Sequence, residues 1–256
     1  MSLKAEIKYI RSLHQKKNRE KENVFIAEGI KIINEVLSTC PSIIIKLLYT
    51  PETKIRLKLE SLQEKIQQIE LTTDDFQKVS ILKNPQGVMA VIKKPSLPAP
   101  SPAKTGNLVL ILDSIRDPGN LGTIIRLADW FGIGNIFCSE DTVECFNPKV
   151  VQATMGAIFS VNIFYTDLKK LLEEFRKSGF TIYGSFLNGK NIYIKKLQFP
   201  AAVILGNEAH GISNLLEQDI SEKLFIPNFS LSANHTESLN VSLAAAIMCS
   251  EFRRQC

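Results

Sequence analysis

Two α/β units, the second built on a doubly wound parallel sheet, are the fold class this sequence predicts. Three features carry that reading. Residues 108–112 (LVLIL) are apolar at every position, as in a parallel strand covered on both faces. Strand-length apolar runs alternate with helix-length periodic segments along the chain. Between the two series lies PSLPAPSPAKTG at 95–106, with four of the eleven prolines, an extended and semi-rigid spacer. The expected division is therefore 1–94, the linker 95–106, and 107–256. The balance of 45% hydrophobic and 22% charged residues is that of a chain with a sizeable core.

Ahead of the spacer, Ile7–Lys17 reads as a basic amphipathic helix and Val24–Ala27 as a short strand. Gly29 leads into a periodic helix at Ile30–Leu37. Ile43–Tyr49 reads as a strand, Lys54–Gln68 as a charged helix and Ile69–Leu71 as a strand. Thr73-Asp74-Asp75 opens another helix as a cap followed by acids at its positive end. Gly87–Ile92 alternates as a closing strand. After the spacer and the LVLIL strand come a helix at Leu121–Phe131 and a strand at Asn135–Cys138. Further strands are predicted at Ser160–Phe164, Thr181–Ser185, Ala202–Leu205 and Leu224–Ile226. The remaining helices are Val150–Met155, Leu168–Lys177 and Leu239–Phe252.

Charge is unevenly placed. The net +5 resolves into +6 over residues 1–100, from 17 Lys/Arg and 11 Asp/Glu, and −1 over 101–256, from 14 and 15. That asymmetry points to a polyanion partner for the first unit, with a solvated lysine-rich face as the bland alternative. No apolar run approaches the roughly 20 residues of a membrane span, and the N-terminal stretch has no signal-peptide core, so a cytoplasmic protein is expected. Five cysteines with no CxxC pair indicate neither a disulfide framework nor a zinc site. No P-loop, Ser/His/Asp trio or metal-ligand cluster is visible, so the metal expectation is none.

Three segments follow predicted strands, where ligands of open α/β sheets bind. In LDSIRDPGNLGTIIRLADWFG (112–132), Asp117-Pro118-Gly119-Asn120 has turn chemistry and Gly122 permits close backbone approach. Arg126 lies off the apolar face; the bland reading pairs it with Asp129. In VILGNEAHGIS (203–213), a buried strand runs through Leu205 into Gly206, Asn207 and Glu208, with Gly211 completing a flexible turn. His210 reads as a solvated loop histidine. In the third segment, 225–252, Ser238 is a natural N-cap and Asn240 needs a partner at the start of an apolar helix, while Glu251 reads as a surface residue.

In order and placement the three segments resemble the SpoU (TrmH-type) RNA ribose 2′-O-methyltransferases of the SPOUT superfamily. Asn120, Gly122 and Arg126 match the first motif, Gly206, Glu208 and Gly211 the second, and Ile226, Pro227 and Ser238 to Ser242 the third. VFIAEGIKIINEVL (24–37) and NPQGVMAVIKKP (84–95) look like the ends of the small substrate-binding domain, of ribosomal-protein L30-like fold, that many members carry. The resemblance implies an L30-like RNA-binding domain followed by a SPOUT domain with a parallel sheet and a C-terminal trefoil knot. It implies S-adenosyl-L-methionine held near Leu205, Gly206, Asn207, Gly211, Ile226, Pro227 and Leu239. It also implies catalytic roles for Arg126, Asn120, Glu208, Ser238 and Asn240, with Glu208 holding Arg126 or the neighbouring loop, and a homodimer. The basic N-terminal extension favours ribosomal RNA over tRNA as partner. A tRNA enzyme and a non-catalytic RNA-binding protein of the same fold are the alternatives. One departure stands out: NFSLSANHTE (228–237), between Ile-Pro and Ser-Leu-Asn, is longer than the family's stretch and lacks its glycine.

Overall fold

A computed structural model of the protein describes residues 2–59, 66–97, 107–230 and 238–256. The chain folds as two compact units, residues 1–97 with 144–159 and residues 98–143 with 160–256.

In the first unit the basic N-terminal segment forms two helices, α1 (Leu3–Ser12) and α2 (Lys16–Glu22), where one was expected. The break follows from Arg19, which folds back to donate to the carbonyls of Leu13 (2.9 Å) and His14 (2.8 Å) and to the Glu144 carboxylate. Strand β1 (Val24–Glu28) and helix α3 (Ile30–Thr39) follow. Next come β2 (Ile44–Tyr49), a single turn α4 (Pro51–Lys54), β3 (Gln67–Glu70), α5 (Thr73–Val79) and β4 (Val88–Lys93). The charged helix expected over 54–68 is not formed in its described parts. Residues 55–58 are turn or irregular, Leu59 is in a 3₁₀ turn, Gln67 and Gln68 enter a strand, and 60–65 lie outside the described residues. Among the described residues there only Leu57 and Ile66 are buried, which leaves little apolar surface to hold a helix down. Thr72, one residue earlier than expected, caps α5 by accepting from the Asp75 N–H. The sheet order is β1-β4-β2-β3, with β2 and β3 parallel and the other pairs antiparallel. Its core gathers Ile10, Leu13, Ile26, Leu48, Phe76 and Met89. Helix α7 (Pro148–Thr154) belongs to this unit.

The second unit carries six parallel strands: β5 (Leu108–Leu112), β6 (Asn135–Cys138), β7 (Asn162–Tyr165), β8 (Thr181–Asn191), β9 (Ala201–Leu205) and β10 (Glu222–Phe225). Their order is β10-β8-β9-β5-β6-β7, every pair parallel. Strands β5, β6 and β7 step outward in one direction, and the chain then returns past β5 to build β8 to β10 on the other side. The order in which strands are added therefore reverses between β5 and β9, the switch point where α/β sheets bind ligands. Alternation within β8 covers both faces. Ile182 packs into a core with Leu171, Leu172 and Phe175 of α8 (Leu168–Lys177), while Tyr183 meets the Phe252 ring at 5.2 Å. Phe252 lies on α10 (Val241–Gln255), which packs beside α6 (Pro118–Trp130). β8 outruns its predicted end because it pairs twice with β10, at Gly184 and again at Lys190. Glu251, expected at the surface, is buried, its carboxylate accepting from Arg254 and Gln255 on the following turn.

Candidate active site

Two loops leave the carboxyl edge of the second sheet at its switch point, and the start of α10 is bonded to them. The first begins at Asp113, directly after β5. This buried carboxylate accepts from the Ser213 N–H at 2.7 Å, while the Asp113 N–H donates to the Leu205 carbonyl at 2.9 Å. The ends of β5 and β9 are thus tied together. Sequence reasoning passed over Asp113, although a lone carboxylate closing the run LVLIL is a visible sign of a polar anchor at a strand end.

The second loop follows β9. Gly206 has no room for a side chain: a Cβ there would stand 2.2 Å from the Gly211 carbonyl carbon and 2.3 Å from the Ile212 nitrogen. The loop folds back on itself as paired backbone bonds between Asn207 and Gly211, both 2.9 Å, with Gly211 at φ +70°. Only glycine adopts that conformation without strain. The Asn207 amide donates to the Ser114 carbonyl at 2.8 Å, and its oxygen accepts from the N–H groups of Ala209 and His210. Glu208 and His210 are left exposed at the tip.

Helix α6 starts from Asp117, whose side chain accepts from the Asn120 N–H at 2.8 Å, with Pro118 in its first turn. The cap directs Asn120 to the middle of the site. There the Asn120 Nδ2 donates to Glu208 Oε1 at 2.6 Å, and its Oδ1 accepts from Asn240 Nδ2 at 2.9 Å. One amide bridges residues 88 and 120 positions away. The Asn240 oxygen also caps α10, accepting from the Ser242 N–H (2.9 Å), the Ser242 hydroxyl (2.6 Å) and the Leu243 N–H. The expected cap, Ser238, stands exposed two residues ahead of the actual cap, Asn240. Asparagine takes the position because its amide caps and reaches Asn120 at once, which a serine hydroxyl is too short to do.

Glu208 accepts from Asn120, and no bond joins it to Arg126. The Arg126 guanidinium is exposed and makes no ion pair or side-chain hydrogen bond among the described residues, so the pair with Asp129 is not formed either. Ile226 and Pro227, half-buried, continue from β10 at the same sheet edge, and Leu239 is exposed beside Asn240. Most of the lengthened 228–237 segment, residues 231–237, lies outside the described residues. Beside the site, hydrogen bonds from Ser114 (2.6 Å) and Ser139 (2.7 Å) hold the Asp141 carboxyl below its usual range, with Arg116 3.4 Å away. Ser114 sits at φ +59°, uncommon for a residue with a side chain. No cluster of three or more metal-ligating side chains occurs among the described residues.

Comparison with known proteins gives this edge a family. The SpoU rRNA Methylase family model matches residues 107–250, and the MRM3-like substrate binding domain matches residues 4–90. The 23S rRNA (guanosine(2553)-2′-O)-methyltransferase RlmP of Bacillus subtilis is 33% identical over 96% of this chain and 95% of its own. Among solved structures, a TrmH-family protein from Porphyromonas gingivalis is 37% identical over 98% of this chain and 97% of its own, with a TM-score of 0.86. The AdoMet-bound rRNA methyltransferase of Sinorhizobium meliloti is 29% identical over 97% and 94%, with a TM-score of 0.82. With its parallel sheet, its three motifs linked through Asn120, Glu208 and Asn240 and a match across both units, the chain belongs to the SpoU rRNA methylase family.

Proposed function

We propose that this protein is an S-adenosylmethionine-dependent RNA methyltransferase that modifies a ribose 2′-oxygen of ribosomal RNA. The observation that carries the reading is the side-chain chain Asn240–Asn120–Glu208, which joins all three family motifs at the switch point. The relatives named for ribosomal RNA favour it over tRNA as substrate.

The residues at this edge fit the cofactor. Gly206 brings backbone close where any side chain would collide, and Ile226, Pro227 and Leu239 offer neutral, partly apolar surface for a nucleoside beside the buried Leu205. Gly206, Asn207, Gly211, Ile226 and Leu239 would hold it chiefly through backbone groups. When bound, the cofactor supplies an electrophilic sulfonium methyl.

The chain's own contribution is orientation and charge. Asn120, held from both sides, fixes the loop bearing Glu208 against the start of α10. Arg126 binds RNA phosphate and stabilises negative charge on the ribose oxygen as its proton passes to solvent water. A guanidinium stays protonated in proteins, so Arg126 is an electrostatic group and no base. Ser238 lines the approach to the site. Residues 1–94 bind RNA and 107–256 carry catalysis, joined by the 95–106 linker. The enzyme works in the cytoplasm as a homodimer packed through a knotted C-terminal region. Leu243, 57% exposed on the first turn of α10, and Trp130, 83% exposed at the end of α6, support that apolar contact.

Arg126→Ala tests the assignment. Methyl transfer to ribosomal RNA is lost while the thermal midpoint and cofactor binding stay at wild-type values, as befits an exposed side chain with no ion pair among the described residues. Near-normal turnover would overturn the role of Arg126.

A further inference from the structure

The first unit contains a cleft of about 730 Å³, within the usual size range of small-molecule and nucleotide sites. Its floor is rigid. Gly87, at φ +71°, lies so close to Thr50 and Thr53 that a Cβ would come within 2.7 Å of both hydroxyls. Those hydroxyls bond one another at 3.0 Å, and Thr53 donates to the Gln86 carbonyl. The Gln86 side-chain oxygen accepts from the Ile30 N–H at 3.0 Å, which turns its NH₂ outward as a donor. Gln77 adds a second amide, with both its donor and acceptor uncommitted among the described residues. Lys31 and Arg56 stand on the lining, both exposed and without ion-pair partners among the described residues.

We propose that this cleft receives one unpaired nucleotide of the RNA substrate, distinct from the nucleotide that is methylated. The proposal rests on the reading of the chain as an RNA methyltransferase. Charge and shape both favour that occupant. Lys31 and Arg56 complement backbone phosphate, and the guanidinium plane of Arg56 offers a stacking surface for a base. Two amides can hydrogen-bond a base edge, as amides do for nucleobases elsewhere. Glu52, the one acid on the lining among the described residues, disfavours a bare phosphate and suits a ligand with amino or hydroxyl donors. A concave site of this volume suits a splayed base better than the outer face of an A-form duplex.

The test uses the full chain and two RNAs of equal length, a stem-loop and a fully paired duplex. Wild type binds the stem-loop more tightly, and its thiouridine photo-crosslinks fall within residues 30–31, 50–56 or 73–87. K31A/R56A, with an unchanged thermal midpoint, binds the stem-loop roughly tenfold or more weakly, and Gln77→Ala several-fold more weakly. Stem-loop affinity within twofold of wild type in both variants, crosslinks confined to other residues, or equal binding of the duplex would each overturn the proposal. Methyl transfer by wild type is measured separately. Its absence, with the cleft-dependent affinity intact, would overturn the reaction and leave the cleft in place.

Discussion

At the scale of single residues, Asn120 holds the site together because its amide both donates and accepts. Asn120→Asp preserves the acceptor facing Asn240 and replaces the donor with a carboxylate set against Glu208. Methyl transfer by this variant should fall by roughly a hundredfold, the scale of losing one well-placed polar group. Combining it with Glu208→Gln restores one donor and one acceptor and should recover part of the loss in steady-state turnover. Wild-type turnover in the single variant would show that the linkage is dispensable. Glu28 makes a separate prediction. Burial pushes its carboxyl up to about 6, against the lowering effect of hydrogen bonds from the Ser80 hydroxyl and the Ile81 N–H. The folded state therefore holds the proton at higher pH than the unfolded chain, and stability falls as pH rises from about 4.5 through 6. Glu28→Gln should raise the unfolding free energy by about 2 kcal/mol at pH 7.5, with the gap vanishing below pH 4.5. Urea unfolding at the two pH values measures it, and equal gaps at both would refute the cause. The composition of LDSIRDPGNLG or GNEAHG makes Asn120 and Glu208 visible as polar loop residues. Their bond was not legible, because a contact across 88 residues leaves no local pattern.

At the scale of elements, α10 is fixed at both ends. Asn240 caps its start, and Arg253 near its end donates to the carbonyls of Phe131 (2.6 Å) and Gly132 (2.9 Å), where α6 terminates. Arg253→Met keeps the stem and removes these charge-assisted bonds. Unfolding free energy should drop by roughly 1.5–3 kcal/mol, measured by urea titration; no change would show that packing alone joins the helices. Elements defined by hydrophobic pattern were well read: β5, β6 and α8 occupy their predicted residues. Those decided by one polar contact were not. Arg19 splits the N-terminal helix, and Asn240 displaces Ser238 as cap. The second pairing of β8 with β10 depends on long-range register, which a run of mixed residues such as FLNGKN cannot announce.

For the whole molecule, the parallel sheet was legible because LVLIL and its partners are apolar at every position, but strand order was not. The return that seats β9 between β5 and β8 creates the switch point, and nothing local in the sequence encodes it. The charge split, +6 before residue 101 and −1 after, predicts a division of labour. Raising salt from 50 to 200 mM should weaken RNA binding by at least tenfold and leave cofactor affinity nearly unchanged, since only the former displaces condensed counterions. Equal salt sensitivity of the two would count against it. The most direct test of the central claim is product analysis. Purified protein is incubated with ribosomal RNA and methyl-labelled S-adenosylmethionine, and the RNA is digested to nucleosides. The label should appear in a single 2′-O-methylated nucleoside and vanish with Arg126→Ala. Label on a base, or no label with wild-type protein on undermethylated RNA, would contradict the account.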